Sequence, residues 1–138
     1  MEKHVSVYCD GGSRGNPGEA AYGFVIYDRD GKELYKEGKR LGITTNNVAE
    51  YSAVIAAMHW LLAHPVEDSQ IQFYLDSALV ANQMKGIFKI KNENMRSLAY
   101  TAKTLEKKLS QQITYHAIPR EQNKMADRMV NLALDNLL

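Results

Sequence analysis

Four carboxylates stand out by where they fall. Asp10 closes a segment in which Val5, Val7 and Cys9 alternate with His4, Ser6 and Tyr8, the period of a strand. Asp76 closes a second short apolar run, Ile71 to Leu75, while Glu50 and Asp127 each fall in the first turn of a helical pattern. Carboxylate oxygens are hard ligands that suit Mg²⁺, so four of them gathered in space would make a site for divalent cations. Taken singly, each is equally a turn acid or an acid favoured by a helix N-terminus. Spacing alone leaves both readings open.

The elements that must carry these residues follow from periodicity and punctuation. A strand runs from Val5 into Asp10, and the glycine-rich stretch 11–19 reads as a loop whose glycines are free to adopt positive φ. Ala20 to Tyr27 is a second strand, Asp30-Gly31 a hairpin turn, and Lys32 to Lys39 the antiparallel return. Thr45-Asn46-Asn47 followed by Glu50 resembles a capping box, with Asn47 expected as the cap. The helix runs from about 48 to 63 and turns Val48, Tyr51, Ile55, Met58 and Leu62 inward. Ile71 to Leu75 is a strand, Ser77 to Lys85 a short helix stopped by Gly86, 93–109 a Lys-rich helix and Ile113 to Ile118 a fifth strand. After the loop 119–123 a last helix, 124–138, points Met125, Met129, Leu132 and Leu137 inward. The order is βββαβααβα, an α/β protein.

At 138 residues, against a prior of about 150 per domain, the chain reads as one domain spanning 1–138. Its 45% hydrophobic and 24% charged residues exclude disorder, collagen and coiled coil. The longest apolar stretch, Ser52 to Leu62, is broken by His59 and falls short of the ~18 residues a membrane span needs. The lack of an apolar signal core and the lone Cys9 point to a reducing cytoplasm. A net charge of +1 conceals an uneven distribution: 82–125 carry nine Lys or Arg against three acids, and the remainder sums to −5. A basic segment of this kind suits a polyanion or a solvated helix face. CxxC, HExxH and Walker motifs are absent, and the glycines at 11, 12, 15 and 18 do not spell GxGxxG.

Four segments, DGGSRGNPG (10–18), TTNNVAEY (44–51), YLDSALV (74–80) and PREQNKMAD (119–127), together resemble the type 1 ribonuclease H family, in that order and over essentially the whole chain. The resemblance implies a ribonuclease H-like fold, a five-stranded mixed sheet of order 3-2-1-4-5 flanked by helices, in which the first and fourth strands bring Asp10 and Asp76 together. It implies an endonuclease that cuts the RNA strand of an RNA–DNA hybrid by two-metal-ion catalysis, without sequence preference, leaving 5′-phosphate and 3′-hydroxyl ends. Asp10 would bridge two Mg²⁺ ions, with Mn²⁺ as a substitute; Glu50 and Asp76 complete the site and Asp127 helps hold the ion that positions the attacking water. Gly11, Gly12 and Asn46 match positions that approach the RNA strand and its 2′-hydroxyls, and Asn16 and Thr45 match positions that hold a DNA-strand phosphate. The implied protein is a cytoplasmic monomer.

The chain departs from the family pattern at three places. Ala78 stands where many members have a glutamine that contacts RNA. The loop AIPREQN lacks the histidine of many bacterial members, leaving Arg120 to substitute, while His116 falls within a strand. The basic insertion between helices is shortened to KGIFKIKNEN (85–94), in which Lys85, Lys89, Lys91 and Phe88 would face the DNA strand or stand in solvent. These departures keep two rivals in play: a catalytically weak hybrid-binding module, and a nuclease of broader range that includes double-stranded RNA.

Overall fold

A computed structural model describes residues 4–86 and 89–138; Phe88 lies outside the described residues. Five strands, β1 (Val5–Arg14), β2 (Gly18–Tyr27), β3 (Glu33–Thr44), β4 (Gln70–Leu75) and β5 (Gln112–Ala117), form one sheet in the order β3-β2-β1-β4-β5. β1 pairs antiparallel with β2 and β2 with β3, whereas β1–β4 and β4–β5 are parallel. The helices are α1 (Asn46–Ala63), α2 (Ala78–Met84), α3 (Glu93–Lys108) and α4 (Lys124–Leu134), with a 3₁₀ turn at Arg120–Gln122.

Alternation sorts the side chains between two faces. Val5, Val7, Cys9, Phe24, Ile26, Ile71, Phe73 and Leu75 join Tyr51, Val54, Met58 and Leu61 of α1 in the main core, whereas Ala21 meets Val130, Ala133 and Leu134 of α4 in a smaller cluster. The inner face of α1 is wider than the stripe the sequence suggests: Ala49, Glu50, Ala53 and Ala57 are buried, while Val48, Ile55 and Leu62 are half-buried. Small side chains on that face let the helix lie close to the strands.

Several boundaries move. The stretch expected as a loop is mostly strand, because β1 continues to Arg14 and pairs with β2 down to Glu19, leaving a turn at 15–17. Gly11 and Gly12 therefore lie in the ladder, and Gly15 alone in that run has positive φ (96°). Gly11 is required for a different reason. A Cβ there would sit 2.2 Å from the Ala49 carbonyl carbon, so only glycine admits the start of α1 this closely.

The cap of α1 is Thr45 rather than Asn47: its side chain accepts from Val48 N at 3.2 Å. The helix consequently begins at Asn46, and Glu50 lies beyond its first turn, where the helix dipole gives an acid little. α4 is shorter than expected and ends at Leu134; Asn136 takes φ 57°, and Leu137 turns out to solvent, 68% exposed. Arg14 holds Asp135 at 2.7 Å and Arg40 holds Asn136 at 2.8 Å, which directs the chain away from the core there.

Gly11→Ala should lower stability by roughly 1–3 kcal/mol or more, the range for forcing a methyl group into a packed contact, read from the midpoint of urea unfolding. An unchanged midpoint would mean that α1 does not rest on Gly11 in solution.

Candidate metal centre

The ladder between β1 and β4 ends at the pair Cys9 and Leu75. Asp10 and Asp76, the next residue of each, emerge side by side where the two strands part. Glu50 is brought over them by α1 resting on Gly11, whose N–H donates to Glu50 Oε1 at 2.8 Å. Asp10, Glu50 and Asp76 each offer an oxygen within 4.8 Å of the others. Asp10 is 6% and Glu50 3% exposed.

Burial and mutual repulsion set the electrostatics. Loss of hydration pushes the Asp10 carboxyl up to about 7, with the charges of Asp76 and Asp127 adding to the rise and hydrogen bonding opposing it. Burial, then Asp10, lifts Glu50 well above the ordinary carboxylate range. Burial also raises Asp76, against the Asn123 amide and the Arg120 guanidinium, which favour its charged form. The second oxygen of Glu50, Oε2, is buried and has no hydrogen-bond partner. A buried, unpartnered acceptor is costly, and a cation is the partner that this set of hard oxygens fits.

Asp127 lies in the first turn of α4 and borders the same cleft, a space of about 550 Å³ lined by polar groups. It stands apart from the close trio and meets Arg120 Nη2 at 3.6 Å, with the Arg120 side chain 80% exposed. A cavity of nearly equal volume, about 530 Å³, opens beside Tyr8, Tyr27 and Met125. Its one carboxylate, Asp28, already accepts from Asp30 N and Lys32 N to form the β2–β3 turn, so volume does not single out the site.

Three candidate substrate residues knit the β1–β2 turn to the start of α1. Asn16 Oδ1 accepts from Asn46 N at 3.0 Å, Asn46 Oδ1 accepts from Ser13 N at 2.8 Å and Ser13 Oγ at 2.9 Å, and Thr45 is spent on its cap. Gly11, Gly12 and Asn46 border the cleft with Arg120. Lys85, Lys89 and Lys91 are exposed. His116 is half-buried in β5, 3.0 Å from Thr114 Oγ1 and stacked on Tyr74, with burial holding its pKa below the usual value. Sequence reasoning passed over Ser13 and Asn123. Asn123 is 1% exposed and donates from Nδ2 to Cys9 O at 2.8 Å; its place in a polar loop gave no hint of burial.

Residues 8–133 match a family described as reverse transcriptase-like. A ribonuclease H of Clostridium botulinum is 32% identical over an alignment of 151 positions that covers 96% of this chain and 97% of that protein. A bifunctional protein of Mycobacterium tuberculosis is 38% identical over 132 residues, 95% of this chain; the chain spans about a third (35%) of that relative. Among solved structures, LC11-RNase H1 in complex with an RNA/DNA hybrid superposes with a TM-score of 0.91 at 36% identity, covering 96% of this chain and 97% of the other.

Asp10 binds its proton more tightly in the folded than in the unfolded chain, where its value is 3.8. Its contribution to metal-free stability is therefore full below about pH 4 and is lost as pH rises to about 7. In urea titrations with EDTA, the difference in stability between Asp10→Asn and wild type should shift in favour of the variant across that interval. A difference that stays flat with pH would contradict the burial of this carboxyl.

Proposed function

The chain belongs to the type 1 ribonuclease H family, and from that membership we propose that it is an endonuclease hydrolysing the RNA strand of RNA–DNA hybrids without sequence preference, leaving 5′-phosphate and 3′-hydroxyl ends. The observation that carries the reading is the close trio of Asp10, Glu50 and Asp76 at the floor of an open polar cleft. A pure binding module would gain nothing from gathering buried like charges where a polyanion must dock.

Asp10, Glu50, Asp76 and Asp127 would hold two Mg²⁺ ions, or Mn²⁺ in their place. When bound, such ions supply a nucleophilic water at neutral pH and offset the charge that develops on the reacting phosphate. The chain's own groups do the rest. The Gly11 amide fixes one oxygen of Glu50 and leaves the other free for a ligand. Gly11 and Gly12 put bare backbone on the cleft wall, where a sugar-phosphate chain can approach closely.

Asn16 and Asn46 have their carboxamide oxygens engaged within the protein, so their amino groups are what remains to meet 2′-hydroxyls and phosphate oxygens. Arg120, extended beside Asp127, offers a planar fork to a phosphate and takes the place of the absent loop histidine. His116, bonded and stacked in its strand, has no part in this account. Contacts to backbone and sugar carry no base information. No described helix is long and apolar enough to cross a membrane. We infer that residues 1–138 fold as one domain and act as a monomer in the cytoplasm.

Labelled RNA presented alone, paired to RNA and paired to DNA, with Mg²⁺, Mn²⁺ or EDTA, tests the reading on one gel. Cleavage of the hybrid alone, requiring a divalent ion and falling by orders of magnitude in Asp10→Asn and Asp76→Asn, is the expected result. Hybrid binding without cleavage would make the protein a binding module; equal cutting of RNA–RNA duplex would broaden its range; near wild-type activity in either variant would remove that carboxylate from the site.

A further inference from the structure

Asn123 occupies the N-cap of α4, a position at which asparagine is among the best residues because its side chain can accept a helix N–H. It makes no side-chain cap bond. Its amide is turned the other way, across 114 positions of sequence, to donate to Cys9 O at 2.8 Å. That carbonyl belongs to the last rung of the β1–β4 ladder, immediately before Asp10, where the strands part and β4 offers no further residue in register. The main-chain carbonyl of Asn123 meanwhile accepts from the Asp127 N–H at 3.1 Å, and its side-chain amide favours the charged form of Asp76. Oδ1 is left buried without a partner.

Asn123 forgoes its helix cap and buries an unpartnered oxygen, so the one bond it keeps, to Cys9 O, is made at the expense of a better-satisfied placement. What its position accomplishes is a connection among the elements that carry three carboxylates: it grips the Cys9 peptide next to Asp10 on β1, at the rung where β1 is paired with Leu75 of β4, the residue before Asp76, and it opens the first turn of α4 that carries Asp127. We propose that Asn123 is the positioning residue of the metal centre, fixing β1, β4 and α4 at the spacing that lets their carboxylates share cations. The proposal rests on the hydrolase reading for its functional meaning, while its effect on metal binding can be measured without any reaction.

The test compares wild type with Asn123→Ala, with Asn123→Ser, which keeps a good capping residue but is too short to reproduce the bond to Cys9, and with Leu105→Ala, a core truncation on α3 that touches none of these groups. Mn²⁺ binding to each protein alone is measured by titration calorimetry, folding by thermal melting, and hybrid cleavage by steady-state kinetics.

Both Asn123 variants should bind Mn²⁺ about tenfold or more weakly, the usual cost of losing a group that orients metal ligands. They should lose kcat while KM for the hybrid stays within about threefold, since uniform substrate binding is untouched. Leu105→Ala should melt lower yet bind Mn²⁺ as wild type does. Wild-type Mn²⁺ affinity in both Asn123 variants, whatever their melting temperatures, would overturn the proposal. A wild-type protein that binds Mn²⁺ but cuts no hybrid would instead overturn the hydrolase reading, and the variants' affinities would still decide the role of Asn123.

Discussion

Mutual repulsion among buried carboxylates is the constraint to which the rest of the molecule answers. Two unit charges at the 4.8 Å that bounds the spacing of Asp10, Glu50 and Asp76 repel by roughly 3 kcal/mol per pair at an effective dielectric constant of about 20. Three such pairs would consume much of the ~5–15 kcal/mol by which a typical domain is stable. Burial is the first cause that displaces all three carboxyls upward, and the charge of neighbouring carboxylates adds to the rise in each. A cation removes the repulsion and gives the unpartnered Glu50 oxygen a partner.

Holding such a cluster together requires anchors outside it. On one face α1 lies against β1 through Gly11 and is fastened by the core around Tyr51, Val54, Met58 and Leu61. On the other face α4 rests on two glycines: a Cβ at Gly23 would meet Ala126 O at 2.6 Å, and one at Gly38 would meet Met129 O at 2.4 Å. The Arg14–Asp135 contact fastens the chain just beyond α4 to β1, which borders the cleft, and the Arg40–Asn136 contact fastens it to β3. Apolar packing thus supplies the stability that the site spends, and glycine supplies the close approach that lets carboxylates from separate elements converge.

The sheet order and the convergence of Asp10 with Asp76 were legible because alternation and helical spacing mark each element, and the resemblance of four motifs supplied the strand order. The extent of β1 was hidden because glycine-rich sequence signals a turn locally, and only pairing across the hairpin reveals that Gly11 and Gly12 are strand. Thr45 won the cap over Asn47 because the helix begins two residues earlier than its apolar stripe suggests. Leu137 looked like core by its period, but the helix that would have carried the period stops at Leu134. Asn123 was illegible for the deepest reason: its partner, Cys9, lies on β1, 114 positions away, and no local pattern reports a bond of that range.

The claim that the carboxylates are assembled for cations rather than for the fold is tested most directly by melting wild type and Asp76→Asn in EDTA and again with saturating Mg²⁺. Removing one like charge should relieve the metal-free fold, so the variant should melt higher than wild type in EDTA. Mg²⁺ should then raise wild type more than the variant, since a ligand that binds only the folded state stabilises by RT ln(1 + [L]/Kd). A variant that melts lower in EDTA and responds to Mg²⁺ as wild type does would show Asp76 to be a structural acid and contradict the account.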